Sequence, residues 1–183
     1  MNLKINKPLC FFDLETTGVS VSKDRIVEIS ILIILPNGNK QSNTWLVNPG
    51  IEIPKEATNI HGINNDMVVN EPSFSEIALD VMSIINNCDL AGYNSDKFDI
   101  PLLAEELLRA EIDFNLDNIL TIDVQNIFHK MEQRTLSAAY QFYCGKILDN
   151  AHSSKIDTMA TFEVLESQIE KYSELEKNVR FLS

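Results

Sequence analysis

Residues 25–35, Arg-Ile-Val-Glu-Ile-Ser-Ile-Leu-Ile-Ile-Leu, are dominated by β-branched side chains and run straight into Pro36-Asn37-Gly38. Such side chains pack well on a pleated surface, and Asn-Gly supplies the left-handed backbone of a tight hairpin. The chain must therefore double back, with Thr44-Trp45-Leu46-Val47 as the returning strand. Residues 10–13 are a shorter apolar strand ahead of it, so the first half reads as an antiparallel meander. Phe11 and Trp45 are its expected core aromatics.

After the meander the period changes from strand to helix. Ser73-Phe74-Ser75-Glu76 is a capping box, and Ile77, Val81, Ile84 and Ile85 follow on one helical face. Residues 89–93 return as a strand, and Pro101 suits the first turn of a helix running to about residue 110. Residues 118–123 are a fifth strand, and helices follow at 124–130, 136–144 and 156–171, the last with an apolar core stripe. Strand–helix–strand units pair in parallel. The expected fold class is α/β, with a mixed five-stranded sheet, antiparallel meander plus parallel strands, flanked by helices. The 183 residues are 44% hydrophobic and contain neither repeat nor linker, which predicts a single domain over 1–183.

The longest unbroken apolar run, 31–35, is far too short to span a bilayer, and no secretory signal opens the chain. A cytoplasmic protein with no membrane partner is expected. Cys10, Cys88 and Cys144 are odd in number and widely spaced, as reduced core thiols would be. Fifteen Lys and Arg against 27 Asp and Glu give a net charge of -12, which argues against a protein that grips nucleic acid by its own charge alone. Any phosphate substrate needs cations held locally.

Phe12-Asp13-Leu14-Glu15-Thr16-Thr17-Gly18 puts two carboxylates two residues apart at the end of the first strand. Desolvated like charges are tolerated mainly where a cation neutralises them. Asp99 follows the fourth strand, and it joins Asp13 and Glu15 if the two strands are neighbours. Asp157 falls in the first turn of the last long helix, with His152 five residues earlier; on a helix the two would point about 140° apart, so His152 belongs to the preceding loop. Hard oxygen ligands without cysteine suit Mg²⁺ or Mn²⁺, and four carboxylates are enough to hold two ions. A neutral imidazole at His152 is suited to accept the proton of an attacking water near pH 7.

With these residues in hand, the chain resembles the DnaQ-like 3′–5′ exonucleases of the DEDDh group, in the ribonuclease H-like fold. Asp13-Leu14-Glu15-Thr16-Thr17-Gly18 is similar to the first family motif, residues 94–99 to the second, and His152-x4-Asp157 to the third. The resemblance implies that Asp13, Glu15 and Asp157 hold one ion, that Asp99 with Asp13 holds the other, and that His152 is the general base. It implies contacts to the terminal nucleotide from Leu14, Thr16, Thr17, His61, Asn94 and Phe98; read from the residues alone, the His61-Gly62 turn can simply cap a short helix, and Phe98 is expected to pack beneath Asp99 rather than to stack on a base. Asp123 stands where many members keep an extra acidic residue, without an assigned role. Two departures are Lys155 inside the third motif and three residues, not two, between Asn94 and Phe98.

The implied activity is metal-dependent release of nucleoside monophosphates from the 3′ end of single-stranded nucleic acid, DNA before RNA, in repair or proofreading. A polymerase subunit is the candidate protein partner, although the short stretch after the last long helix favours a stand-alone enzyme. An RNA-trimming exoribonuclease and a non-cutting end-binding module are the alternatives, and the oligomeric state is left open.

Overall fold

The computed structural model describes residues 3–149, 151 and 153–182, in two compact units, 1–127 and 128–183. The first unit is built on a sheet of five strands: β1 (Leu9–Thr16), β2 (Ile26–Ile34), β3 (Lys40–Leu46), β4 (Asp89–Gly92) and β5 (Thr121–Asp123), in the order β3-β2-β1-β4-β5. β1–β2 and β2–β3 are antiparallel, whereas β1–β4 and β4–β5 are parallel, as the sequence predicts. At the first hairpin Gly38 takes φ 86° and its N–H donates to the Leu35 carbonyl at 2.8 Å. β3 begins earlier than expected. Its residues 40–44 are exposed and polar, because an edge strand has little to bury and so carries no apolar signature.

Between β3 and β4 lie α1 (Lys55–His61), α2 (Asn65–Val68) and α3 (Phe74–Ile85). The capping box forms, with Glu76 accepting both the N–H and the hydroxyl of Ser73 at 2.7 Å. α4 (Asp99–Arg109) connects β4 to β5. The main core gathers Cys10, Phe12 and Leu14 of β1, Ile29 and Ile31 of β2, Val81 and Ile85 of α3, and Leu102, Leu103 and Leu107 of α4. Trp45 packs on its margin. Phe11 does not join it: strand alternation turns Phe11 to the opposite sheet face, where it is only half-buried.

α5 (Val124–Met131) runs across the division between the units. The second unit has α6 (Leu136–Cys144), α7 (Ser154–Lys171) and α8 (Val179–Leu182). α6 and α7 are joined by Tyr140 Oη to Glu163 at 2.9 Å and by Tyr143 Oη to Tyr172 Oη at 3.0 Å. The apolar stripe expected along 156–172 is narrower than its sequence suggests, with only Ala160 and Val164 of α7 buried. Cys10 and Cys88 are buried, Cys144 is half-buried, and all three are free thiols. Among the described residues no helix is long and apolar enough to cross a membrane.

Candidate active site

β1 and β4 are parallel neighbours, so the residues leaving their carboxyl ends arrive side by side. Asp13 and Glu15 share one face of β1, Asp13 exposed and Glu15 half-buried, while Leu14 between them points into the core. Register slips between Glu15 and Thr16, where Val27 of β2 is passed over in the pairing. β4 pairs with β1 only through Leu9, Cys10 and Phe11. Beyond that pairing, the Leu14 N–H donates to Asp99 Oδ1 at 3.2 Å. This bond, across 85 residues of chain, fixes the first residue of α4 against the first motif.

Asp99 and Glu15 are both disturbed by burial and by the Asp13 charge. Burial, reinforced by the neighbouring Asp13, pushes the Asp99 carboxyl up from its ordinary 3.8 to about 6, and Asp99 is 5% exposed. Burial also raises Glu15; His61 beside it pulls the other way, and Asp13 and Glu28 push it further up. Glu28 contributes because it faces Glu15 across the β1–β2 pairing. An acidic, partly desolvated, all-oxygen donor set fits a hard divalent cation. Among the described residues no three acidic, His or Cys side chains close on a single point by themselves.

Beside the carboxylates is a cavity of about 320 Å³ whose walls include Glu15, Thr16, Thr17, Ile60, His61 and Phe98. Leu14 also reaches it. Thr16 is fixed by its hydroxyl bond to the Gly18 carbonyl at 2.7 Å. His61 ends α1, where Gly62 at φ 81° caps the helix, and its Nδ1 accepts the Ile63 N–H at 3.0 Å. The cap and the cavity wall are therefore one feature. A larger cavity of about 440 Å³, under Leu3, Ile5 and Pro36, is apolar apart from Lys40 and holds none of the predicted residues.

Asn94 does not line the cavity; it forms the turn after β4 at φ 60°. Its backbone explains Asp123. Asp123 is 5% exposed, and its Oδ1 accepts the N–H groups of Asn94 and Gln125 at 2.9 Å and of Asn126 at 3.4 Å, while Oδ2 accepts Asp96 N–H at 3.4 Å. Burial raises its carboxyl, but these four bonds outweigh that and hold it below the ordinary range. Asp123 thus organises the loop that delivers Asp99. Asp123→Ala removes the shared acceptor of these partly exposed donors and is expected to cost about 1–2 kcal/mol, read from chemical denaturation.

Asp157 occupies the first turn of α7, in the second unit, with its N–H donating to the Ser153 carbonyl at 2.8 Å. His152 lies outside the described residues.

The exonuclease family model, RNase_T, matches residues 10–165. Among curated proteins, the DNA polymerase III subunit epsilon of Treponema pallidum is 36% identical over 96 residues, covering 52% of this chain and 44% of its own. The 3′-5′ exonuclease DinG of Staphylococcus epidermidis is 25% identical over 93% of this chain and 19% of its own. The chain therefore spans less than half of these relatives. Exonuclease I of E. coli, solved with a dT13 oligonucleotide, superposes with a TM-score of 0.64 at 16% identity, covering 97% of this chain and 45% of that one. That likeness is one of fold.

Proposed function

Because the chain belongs to the exonuclease family, we propose that it removes nucleoside monophosphates from the 3′ end of single-stranded nucleic acid. The observation that carries this reading is the Leu14–Asp99 bond, which ties Asp99 to the strand residue between Asp13 and Glu15, with Glu15 in the cavity wall. The family match crosses both compact units, which supports taking 1–183 as one exonuclease domain.

In this reading Asp13, Glu15, Asp99 and Asp157 would hold two Mg²⁺ or Mn²⁺ ions. When bound, these supply charge neutralisation at the scissile phosphate and at the attacking and leaving oxygens. The chain's own residues do the rest. Leu14, Thr16, Thr17, His61 and Phe98 receive the terminal nucleotide in the cavity, and Asn94 holds the turn beside it. Orienting that nucleotide turns an intermolecular attack into a local one. His152 accepts the proton of the attacking water, an assignment supported by its spacing from Asp157.

DNA is the favoured substrate, since a DNA polymerase III subunit epsilon is similar to this chain. A polymerase is accordingly the candidate protein partner. The test is parallel digestion of single-stranded DNA and RNA of one sequence in Mg²⁺, with products identified by chromatography. Nucleoside 5′-monophosphates released faster from DNA are expected. Faster release from RNA would move the chain to RNA trimming, and binding without products would make it an end-binding module.

A further inference from the structure

The loop joining β1 to β2 is tied to α4 by a charge cluster centred on one buried carboxylate and two partly exposed arginines. The Glu106 side chain is 1% exposed, and its Oε1 meets Arg25 Nε and Arg109 Nη1, each at 2.6 Å. Arg109 then reaches the loop itself, donating through Nη2 to the Ser22 carbonyl at 2.7 Å and through Nη1 to the Asp24 carbonyl at 3.3 Å.

The loop is also closed on itself. Asp24 accepts the Thr17 hydroxyl at 2.9 Å and the Ser20 N–H at 2.7 Å. Thr17 and Arg25 are bonded in both directions, Arg25 N–H to Thr17 Oγ1 at 3.0 Å and Thr17 N–H to the Arg25 carbonyl at 2.9 Å. The closure is tight enough that a Cβ on Gly18 would lie 2.7 Å from the Asp24 carboxylate.

We propose that Arg109, oriented by Glu106, is a positioning residue that locks residues 17–25 onto α4 and so fixes the Thr16-Thr17-Gly18 wall of the cavity. A buried carboxylate needs paired donors, and one arginine would suffice for that. The second arginine has donors to spare, and the guanidinium fork spends them on two loop carbonyls while keeping its charge on Glu106. α4 starts with Asp99 and ends with Arg109. One helix therefore sets both the carboxylate beside the cavity and the wall of the cavity, holding the two in register.

This inference rests on the proposed exonuclease reading for its kinetic consequence and on geometry alone for the locking. Arg109→Lys is the sharpest variant, because it keeps the charge opposite Glu106 and loses the fork. Its amides at Thr17, Ser20 and Arg25 are expected to exchange with solvent about tenfold faster or more. KM for a short single-stranded oligonucleotide should rise about tenfold with kcat within about twofold, as when binding shared by ground and transition states is lost. Glu106→Gln should shift both quantities in the same direction, and either variant can decide the matter if the other does not fold. Unchanged exchange across 17–25, or faster exchange with unchanged KM, would overturn the proposal, as would a fall in kcat at constant KM. If the unsubstituted protein cuts nothing, the exonuclease reading falls separately. Titration with a nucleoside 5′-monophosphate then replaces KM, with weaker binding supporting the lock and equal binding overturning it.

Discussion

Asp13→Ala is expected to lower the rate of phosphodiester hydrolysis about a thousandfold or more while leaving the fold intact. Charge stabilisation by bound divalent cations is worth several kcal/mol, and about 1.4 kcal/mol is a factor of ten in rate. Asp13 would serve both ions in the proposed arrangement, so its loss would remove most of that stabilisation. Its side chain is exposed on the face of β1 opposite the core, and alanine there opens no cavity. Removing it also relieves the repulsion that raises Asp99 and Glu15. Thermal melting of the metal-free variant should therefore match or slightly exceed that of the unsubstituted protein. A variant that keeps its hydrolysis rate, or one that unfolds, would defeat this account of Asp13.

Asp99→Asn is expected to raise stability without metal and to remove activity. The folded protein holds the Asp99 carboxyl near 6 against an ordinary 3.8, because it is buried beside Asp13. The sign follows from proton uptake. Between these two values the folded state binds a proton that the unfolded chain does not, so stability from this group is lost as pH rises through about 6. At pH 7 the ionised Asp99 costs about 1–3 kcal/mol. Asparagine has nearly the same shape, keeps an acceptor for the Leu14 N–H, and carries no charge. The metal-free variant should melt about 5 °C higher at pH 7, with the gap closing towards pH 4. Added Mg²⁺ should stabilise the unsubstituted protein more than the variant, because a ligand stabilises in proportion to its affinity for the folded state. Equal melting at pH 7, or a gap that widens in acid, would contradict the burial of an ionised Asp99.

The same physics explains what the sequence made legible. The 25–35 run, the Asn-Gly turn and the Ser73–Glu76 box are local signals, in which neighbours in sequence decide the structure, and the meander and α3 form where they predict. Asp13, Glu15 and Asp99 were legible for a related reason. Charged residues at the ends of apolar strands are conspicuous, and strand adjacency alone brings them together. α1 left a fainter trace, a Pro54 and a Gly62 bracketing seven residues of which only Ala57 is buried. β3 left almost none along residues 40–44, since an exposed edge strand needs no apolar side chains.

The supporting residues are a different case. Asp123 organises backbone N–H groups of the turn after β4, and Glu106 meets Arg25 from across the fold. Such pairings join residues far apart in the chain, and an acidic side chain satisfied by a distant amide or arginine looks the same in sequence as a solvated one. With 27 acidic residues present, only the folded structure separates the few that position others from the many that face water.

Whether these carboxylates and His152 serve a 3′-end hydrolase is decided by one time course. Single-stranded DNA labelled at its 5′ end is incubated with the protein in Mg²⁺, beside an EDTA control and His152→Ala, and sampled on a sequencing gel. A ladder of labelled strands shortening one nucleotide at a time is expected, absent with EDTA and lost in His152→Ala. Immediate release of the labelled 5′ nucleotide, or a ladder that survives both EDTA and His152→Ala, would contradict that assignment.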